Sequence, residues 1–335
     1  MGVQLGESLK GMSIEPESLN SRIIAIDAFN WLYQFLSSIR QYDGTPLKDL
    51  KGRITSHLSG LFYRTAKLIE YGIRPVYVFD GEQPKFKVEA IKKRREAKDI
   101  AREKWEEALE RGDIVEAKKQ AQRTAELTDE MIRESKELLD GMGVPIVQAK
   151  SEGEAQCAIM CKNKDVYSSA SQDADSLLFG SPRLIRNLNI TGKRKIRGRE
   201  IRILPEIIEL DEALSRLEIT REQLIIVGIL VGTDYNLGGV KGFGPKKALA
   251  IVKKHKTLEN VLKHVEWSFD IDPKEIYEFF KNPSYNKYEI RFKHVDPERI
   301  KRILCDEHDF SEKRIDQVIE KLELPAQSSL SAWLR

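Results

Sequence analysis

Seven carboxylates stand where a folded chain would bring negative charge together: Asp27, Asp80, Glu152, Glu154, Asp173, Asp175 and Asp234. Asp27 closes the apolar run Ile23-Ile24-Ala25-Ile26, and Asp80 closes Pro75-Val76-Tyr77-Val78-Phe79, stretches from which a charge would otherwise be excluded. Asp173 and Asp175 follow a run at 166–170, Glu152 and Glu154 open a helical stretch after Ser151, and Asp234 follows the apolar segment 224–231. Carboxylates crowded at one edge repel and raise each other's pKa unless a cation is present. Hard divalent cations with oxygen ligands, chiefly Mg²⁺, suit such a set, and His and Cys are too few nearby for zinc. A group this large exceeds the needs of one ion and matches two ions about 4 Å apart, as in in-line phosphoryl displacement. Each residue also has a structural reading. Asp27 can be a helix N-cap, Ser151 with Glu154 a capping box, and Asp173 and Asp175 turn residues.

The elements that must position these side chains are short apolar strands alternating with helices. Strands are expected at 23–26, 75–79, 144–147 and 166–170, and helices at about 28–40, 53–71 and 127–140. That alternation predicts an α/β fold with a largely parallel sheet covered on both faces, whose strand ends converge on one edge. After about residue 205 the strands are expected to give way to helices, running to about 322.

Two segments stand apart. Lys85–Lys104 carries nine basic and four acidic residues with no apolar stripe, which reads either as a solvated surface helix or as a basic helix over a substrate channel. Its start just after Asp80, at a strand end, favours the channel. Gly239-Val240-Lys241-Gly242-Phe243-Gly244-Pro245-Lys246-Lys247 is neither a phosphate-binding Walker loop nor a dinucleotide fingerprint. Glycines ahead of a helix that starts at Pro245 expose backbone N–H groups to a phosphate, a sequence-independent contact with a nucleic-acid backbone. A plain helix–turn–helix corner is the alternative.

Composition narrows the class. The 335 residues are 41% hydrophobic and 33% charged, which excludes a collagen-like or broadly disordered chain. A net charge of +3 leaves only the distribution of charge to speak of partners. No apolar run suits a membrane span or a secretory signal, so an intracellular protein without membrane attachment is expected. Three cysteines form no CxxC pair, and Cys157 and Cys161 read as packing residues.

Together the motifs MGVQLG, IDAFNWLYQFL, SHLSGLFYRT, PVYVFDG, SEGEAQCA, SQDADSLLFG, VGTDYN and GVKGFGPKKA resemble the flap endonucleases of the XPG nuclease family, the archaeal ones most. The resemblance covers nearly the whole chain. It implies a PIN-like mixed sheet, a helical arch and a C-terminal helix–turn–helix region that binds DNA. The reaction it implies is Mg²⁺-dependent hydrolysis at the base of a 5′ flap in DNA replication (Okazaki fragment maturation) and repair, with 5′-3′ exonuclease activity beside it.

The layout it implies is a nuclease body over 1–322 and a sliding-clamp-binding tail over 323–335. Within the body lie an N-terminal nuclease region 1–98, an arch at about 82–132, an internal nuclease region at about 116–258 with the glycine-turn motif 232–254, and C-terminal helices 255–322.

Carried over by position, the seven carboxylates match the family's metal ligands, two Mg²⁺ per site with Mn²⁺ as a substitute, and Lys87 and Arg94 match its catalytic arch cations. Tyr33 matches an aromatic that stacks near the scissile nucleotide, Arg40 and Arg64 resemble backbone contacts, and Gly2 would lie near the metals. Gly242, Gly244, Lys246 and Lys247 resemble a duplex grip assisted by K⁺ on backbone carbonyls near Val240 and Phe243. Thr55, Phe310 and Arg314 resemble a pocket for a one-nucleotide 3′ flap, in which His308 stands where relatives carry Lys. Gln327, Leu330, Trp333 and Leu334 resemble a motif that binds the sliding clamp PCNA, with Leu334 in place of the last aromatic. A monomer, an archaeal source and a place in the cytoplasm or nucleoid complete the expectation. The competing readings are a junction- or bubble-cutting nuclease or 5′ exonuclease of the same superfamily, a PIN-type ribonuclease, and a non-catalytic clamp-bound DNA adaptor.

Overall fold

A computed structural model of the protein describes residues 9–84, 87–189, 193–196 and 199–323. The strands are β1 (Met12–Ser13), β2 (Ile23–Asp27), β3 (Arg74–Phe79), β4 (Ile146–Gln148), β5 (Ser168–Ala170), β6 (Arg183–Arg186), β7 (Lys193–Ile196), β8 (Arg199–Arg202) and β9 (Glu206–Glu209). Seven form one sheet in the order β1-β9-β6-β5-β2-β3-β4, and β7 and β8 make a separate antiparallel pair. The β4-β3-β2-β5-β6 run is parallel throughout, while β9 pairs antiparallel with β6 and β1. The chain passes from β2 to β3 and β4 on one side, then returns to β5 on the other. The strand order therefore reverses beside β2, the place where open α/β sheets form a crevice.

The central strands alternate with a period of two, but both faces are apolar because both are covered. Ala25, Val76, Val78 and Val147 face the helix Gly153–Lys162 and pack on its Cys157, Met160 and Cys161. Ile24, Ile26, Tyr77 and Phe79 face the opposite layer, meeting Trp31 and Leu32 of the helix Ala28–Ser38 and Leu58, Leu61 and Phe62 of the helix Ser56–Glu70. Trp31 meets Tyr77 edge-on at 5.8 Å, and the buried Tyr77 hydroxyl is satisfied by Thr65 Oγ1 at 2.7 Å. Truncating a fully buried residue such as Leu61 to Ala costs about 2–5 kcal/mol in a core of this kind. A separate core under the C-terminal half is built on the helix Arg221–Val231, whose Leu224, Ile225, Ile229 and Leu230 are buried against Leu178, Val252 and Phe280.

Several expectations are corrected. Strands do not end near 205: β9 spans Glu206–Glu209 and joins the main sheet. Its sequence EIIE and that of β6, RLIR, hold only two apolar residues each between charges, too little pattern to stand out locally. Their pairing places Arg183 opposite Glu209, with Arg183 Nε donating to Glu209 Oε1 at 2.7 Å, so the flanking charges are satisfied across the strands. The basic segment itself is exposed at most of its described positions, with Ala101 buried, and its helix is anchored mainly beyond it. The helix Val88–Glu110 packs beside the helix Ile114–Ala121 through Ala101, Ala108, Ala117 and Ala121, all buried. A seam of alanines lets two helices approach closely and leaves no stripe of large apolar residues in the sequence. The two cysteines are packing residues, as expected.

Candidate functional site

Asp27 ends β2 and is the N-cap of the helix Ala28–Ser38, its Oδ1 accepting from Asn30 N at 3.1 Å. Its capping role and its place at the sheet edge coexist, since only one lone pair of one oxygen is used. Asp80 follows β3, and its Oδ1 accepts from Gly153 N at 2.8 Å. The alternative reading of Ser151 with Glu154 as a capping box does not hold. Glu152 is the N-cap residue of the helix Gly153–Lys162 with no side-chain cap bond, and the buried Glu154 instead accepts from Ser171 Oγ. Ser171 Oγ in turn accepts from Asp173 N at 3.2 Å. Asp175 starts the helix Asp175–Leu178, and Asp234 follows the helix Arg221–Val231.

The electrostatics place all seven carboxylates in one neighbourhood. Burial pushes Asp27 well above the usual carboxylate range, and the charges of Asp80, Asp173 and Glu152 push it further. Burial also raises Asp80 to about 7, with the Glu152 charge adding to it. Burial, then the charges of Asp175, Asp27 and Asp173, raise Glu154 well above its ordinary value. Asp234 acts on Lys87 and on the buried Tyr235, whose hydroxyl is raised first by burial and then by Glu152, Asp175, Asp234 and Glu154.

The cation within this group is Lys87. Its Nζ donates to Glu152 Oε1 at 2.8 Å and Oε2 at 2.9 Å, and lies 6.0 Å from the Tyr235 ring. Burial alone would depress the Lys87 pKa, but Glu152 and Asp80 outweigh it and hold the ammonium above the ordinary lysine value. Lys87 is the N-cap of the helix Val88–Glu110, so the arch enters the fold at the carboxylates.

Among the described residues no three of these side chains yet converge tightly enough to enclose an ion. The donor set nonetheless fits hard cations: every candidate oxygen is a carboxylate, and their mutual repulsion is what a bound cation relieves. Gly153 allows the close approach of these groups, since a Cβ there would lie 2.8 Å from Asp80 Oδ1, 3.3 Å from Val78 O and 3.7 Å from Asp27 Oδ1.

The remaining predicted residues are spread around this centre. Arg94 lies in the helix Val88–Glu110, its side chain outside the described residues, as are Gly2, Gln327, Leu330, Trp333 and Leu334. Tyr33 is partly exposed, with Lys98 Nζ of the arch 5.0 Å over its ring. Arg40 is half-buried and donates from Nε to Leu36 O and from Nη1 to Gly44 O, each at 2.9 Å, so its present contacts brace its own helix and loop. Arg64 is half-buried in the helix Ser56–Glu70.

The glycine turn joins the helices Arg221–Val231 and Pro245–His255. Gly232 adopts φ +113° where a Cβ would meet Gly239 N at 2.5 Å, so the inner side of the turn is closed-packed. Gly244 has open space around it, Lys246 is exposed, and Lys247 Nζ rests 4.5 Å over the Phe243 ring. The Val240 carbonyl already accepts from Phe243 N at 3.0 Å.

Thr55 is buried ahead of the helix Ser56–Glu70, Phe310 packs on the main core, and Arg314 is exposed near Tyr63. His308 is buried. Its Nδ1 lies 3.2 Å from Asp49 Oδ2 and its Nε2 3.2 Å from Glu134 Oε1, and Glu134 also meets His57 Nε2 at 3.2 Å. Sequence reasoning missed Asn30, Gly153, Ser171 and Tyr235 at the centre, and His57 and Glu134 in this network. Only Gly153, a glycine between two acids at a helix start, carries a local signal.

Residues 1–101 match the XPG N-terminal domain and residues 143–234 match the XPG I-region. Flap endonuclease 1 of Pyrococcus abyssi (strain GE5 / Orsay) is 56% identical over 340 residues, covering 99% of this chain and 98% of that one. The chain belongs to the flap endonuclease 1 family. The solved structure of flap endonuclease-1 from Methanococcus jannaschii superposes with a TM-score of 0.77 at 43% identity, covering 96% of this chain and 98% of that one. The PIN-like fold is thereby shared across the family. The catalytic core of Rad2 in complex with DNA substrate shares the fold with a TM-score of 0.73 at 24% identity, covering 96% of this chain and 100% of that one. Metal-dependent hydrolysis of phosphodiesters is the chemistry of this family. Among the described residues no helix is long and apolar enough to cross a membrane.

Proposed function

We propose that this chain is a structure-specific 5′ flap endonuclease that cuts DNA at the base of 5′ flaps in replication and repair. The observation that carries this reading is the gathering of seven carboxylates from separate elements at one sheet edge, with Lys87 at the foot of the arch bonded into them.

In this reading Asp27, Asp80, Glu152, Glu154, Asp173, Asp175 and Asp234 hold two Mg²⁺ ions, directly or through water, with Mn²⁺ able to replace them. Bound divalent cations supply charge neutralisation and an acidified water to a displacement of this kind. Lys87 exchanges its Glu152 partner for a non-bridging oxygen of the scissile phosphate and stabilises the charge that develops there. Arg94, seven residues on and therefore about two helical turns away, acts on the same strand. Tyr33 offers its ring to a base once Lys98 withdraws. The open edge of the glycine turn at Gly242 and Gly244, with Lys246 and Lys247, grips the duplex backbone with K⁺ as an aid, and contacts of this type make binding salt-dependent. Arg64 and Arg40 add backbone contacts, Gly2 lies near the metals, and Thr55, Phe310 and Arg314 receive a 3′ end. The enzyme works as an intracellular monomer that the segment Gln327, Leu330, Trp333 and Leu334 tethers to a sliding clamp.

Cleavage mapping on a double-flap DNA with and without Mg²⁺ tests the reading. Mg²⁺-dependent release of the 5′ flap by a cut at its base is expected. Preference for a four-way junction or a nicked duplex over the flap would transfer the assignment to a junction-cutting or exonucleolytic relative. Binding without any cut would leave a DNA adaptor.

A further inference from the structure

Asn30 is the third residue of the helix Ala28–Ser38 and makes three hydrogen bonds at the crevice beside β2. Its backbone N–H donates to Asp27 Oδ1 at 3.1 Å, its Nδ2 donates to Asp173 Oδ2 at 3.1 Å, and its Oδ1 accepts from Gln172 N at 3.3 Å. The amide orientation is set by its neighbours: a carboxylate can only accept and a backbone N–H can only donate. Asp27 arrives on β2 and Asp173 just after β5, two strands that pair in parallel where the strand order reverses. Asn30 is thus a single residue that holds one carboxylate from each side of that crevice.

The amide is itself held on its far side. Gln172 Nε2 donates to Asn189 Oδ1 at 3.2 Å, and Asn189 Nδ2 donates to Gln34 Oε1 at 2.5 Å. Gln34 is four residues beyond Asn30 on the same helix, so the chain of amides closes on the element where it began. Capping does not account for the Asn30 side chain, because the bond to Asp27 comes from the backbone N–H, which any residue but proline supplies. Nor does helix formation, since asparagine is a poor residue inside a helix.

We infer that Asn30 is a positioning residue that fixes Asp173 relative to Asp27 so that the two carboxylates are set to serve one divalent cation together. The inference rests on the reading of Asp27 and Asp173 as metal ligands. Residues that orient ligands in this way typically contribute about 10–100-fold in metal affinity or activity.

The test is a Mg²⁺ titration of single-turnover flap cleavage by the full chain and its Asn30→Ala and Asn30→Asp variants. Mn²⁺ binding is followed in parallel by electron paramagnetic resonance in the absence of DNA. For Asn30→Ala the half-saturating Mg²⁺ concentration should rise by about tenfold or more, with the rate recovering at saturating metal and Mn²⁺ affinity weakening by a like factor. Asn30→Asp replaces a donor by a third acceptor beside Asp173 and should shift the Mn²⁺ isotherm as well, while both variants keep the wild-type unfolding temperature and flap affinity in EDTA. A rate lowered by one factor at every Mg²⁺ concentration, or an unchanged Mn²⁺ isotherm in both variants, overturns the inference. Failure of the metal-site reading shows separately, as wild-type protein that neither binds Mn²⁺ nor requires a divalent cation to cut.

Discussion

Lys87 Nζ lies 2.8 Å from Glu152 Oε1, so the N-cap residue of the helix Val88–Glu110 is ion-paired with the N-cap residue of the helix Gly153–Lys162. The lysine is therefore stationed at the carboxylates before any substrate arrives. If Lys87 acts on the reacting phosphate as proposed, replacing it by alanine should lower single-turnover cleavage by about 10²-fold or more. Flap affinity measured by fluorescence anisotropy should change little. A loss confined to affinity would remove Lys87 from the chemistry. Asp175→Ala should likewise keep flap binding while losing cleavage by several orders of magnitude.

Gly153→Ala probes the space beside Asp80 and Asp27, two of the proposed ligands, without replacing either. The added Cβ would press on Asp80 Oδ1 and Val78 O, and of the two only the Asp80 side chain can swing aside. Misplacing a catalytic group by about 1 Å costs on the order of 10²-fold in rate. Cleavage should fall by that order, while thermal unfolding shows the variant still folded with its helices intact by circular dichroism. Full activity in the variant would show that Asp80 need not occupy its present position.

Lys246 is exposed at the start of the helix Pro245–His255, beside the open edge of the glycine turn. Lys246→Ala should weaken binding to duplex-containing substrates uniformly, whatever their sequence. The slope of log affinity against log salt should drop by about 0.9, one phosphate contact. Anisotropy titrations across a salt series read this directly, and an unchanged slope would place Lys246 off the duplex.

The His57–Glu134–His308–Asp49 network makes stability depend on pH in a defined direction. Burial alone would lower the His308 pKa, but Glu134 and Asp49 together raise it above the ordinary 6.5, against an opposing push from Arg53. Its contribution is fully present below pH 6.5 and is lost as pH rises through the folded-state value. Burial lowers the pKa of His57, so its own slope has the opposite sign, lies mainly below pH 6.5 and fades within about one unit above it. Burial would raise Glu134, yet hydrogen bonds from His308 and His57 hold it at about 2, so its contribution is lost only as pH falls from 4.5 toward that value. The unfolding temperature should therefore decline as pH rises from about 6.5, and His308→Gln should be less stable at pH 6 with a shallower decline, the rest of the slope coming from the buried carboxylates with raised pKa, Asp80 at about 7 among them. Thermal melts of both proteins between pH 6 and 9 settle the matter, and parallel curves would exclude His308 as the titrating group.

Much of this molecule is legible before folding, and the division follows the range of the interactions involved. The runs that become β2 and β3, each ended by a carboxylate, announce themselves because burial of an apolar strand and expulsion of a charge act within a few residues. The glycine turn is equally local: backbone conformation and Pro245 at the helix start are written in consecutive residues. The pairing of β6 with β9 escapes such reading, because its charges find their partners only across the ladder. So does the arch hairpin, whose alanine seam has meaning only once two helices lie side by side. Glu154 could equally be a capping residue until Ser171 is found beside it, and Asn30 carries no signal of its own until Asp173 arrives from 143 positions away. Residue types and spacing thus determine which acids are available and which strands carry them. Only the tertiary structure decides which neutral side chains hold those acids in place, because that choice depends on contacts between segments that sequence proximity never brings together.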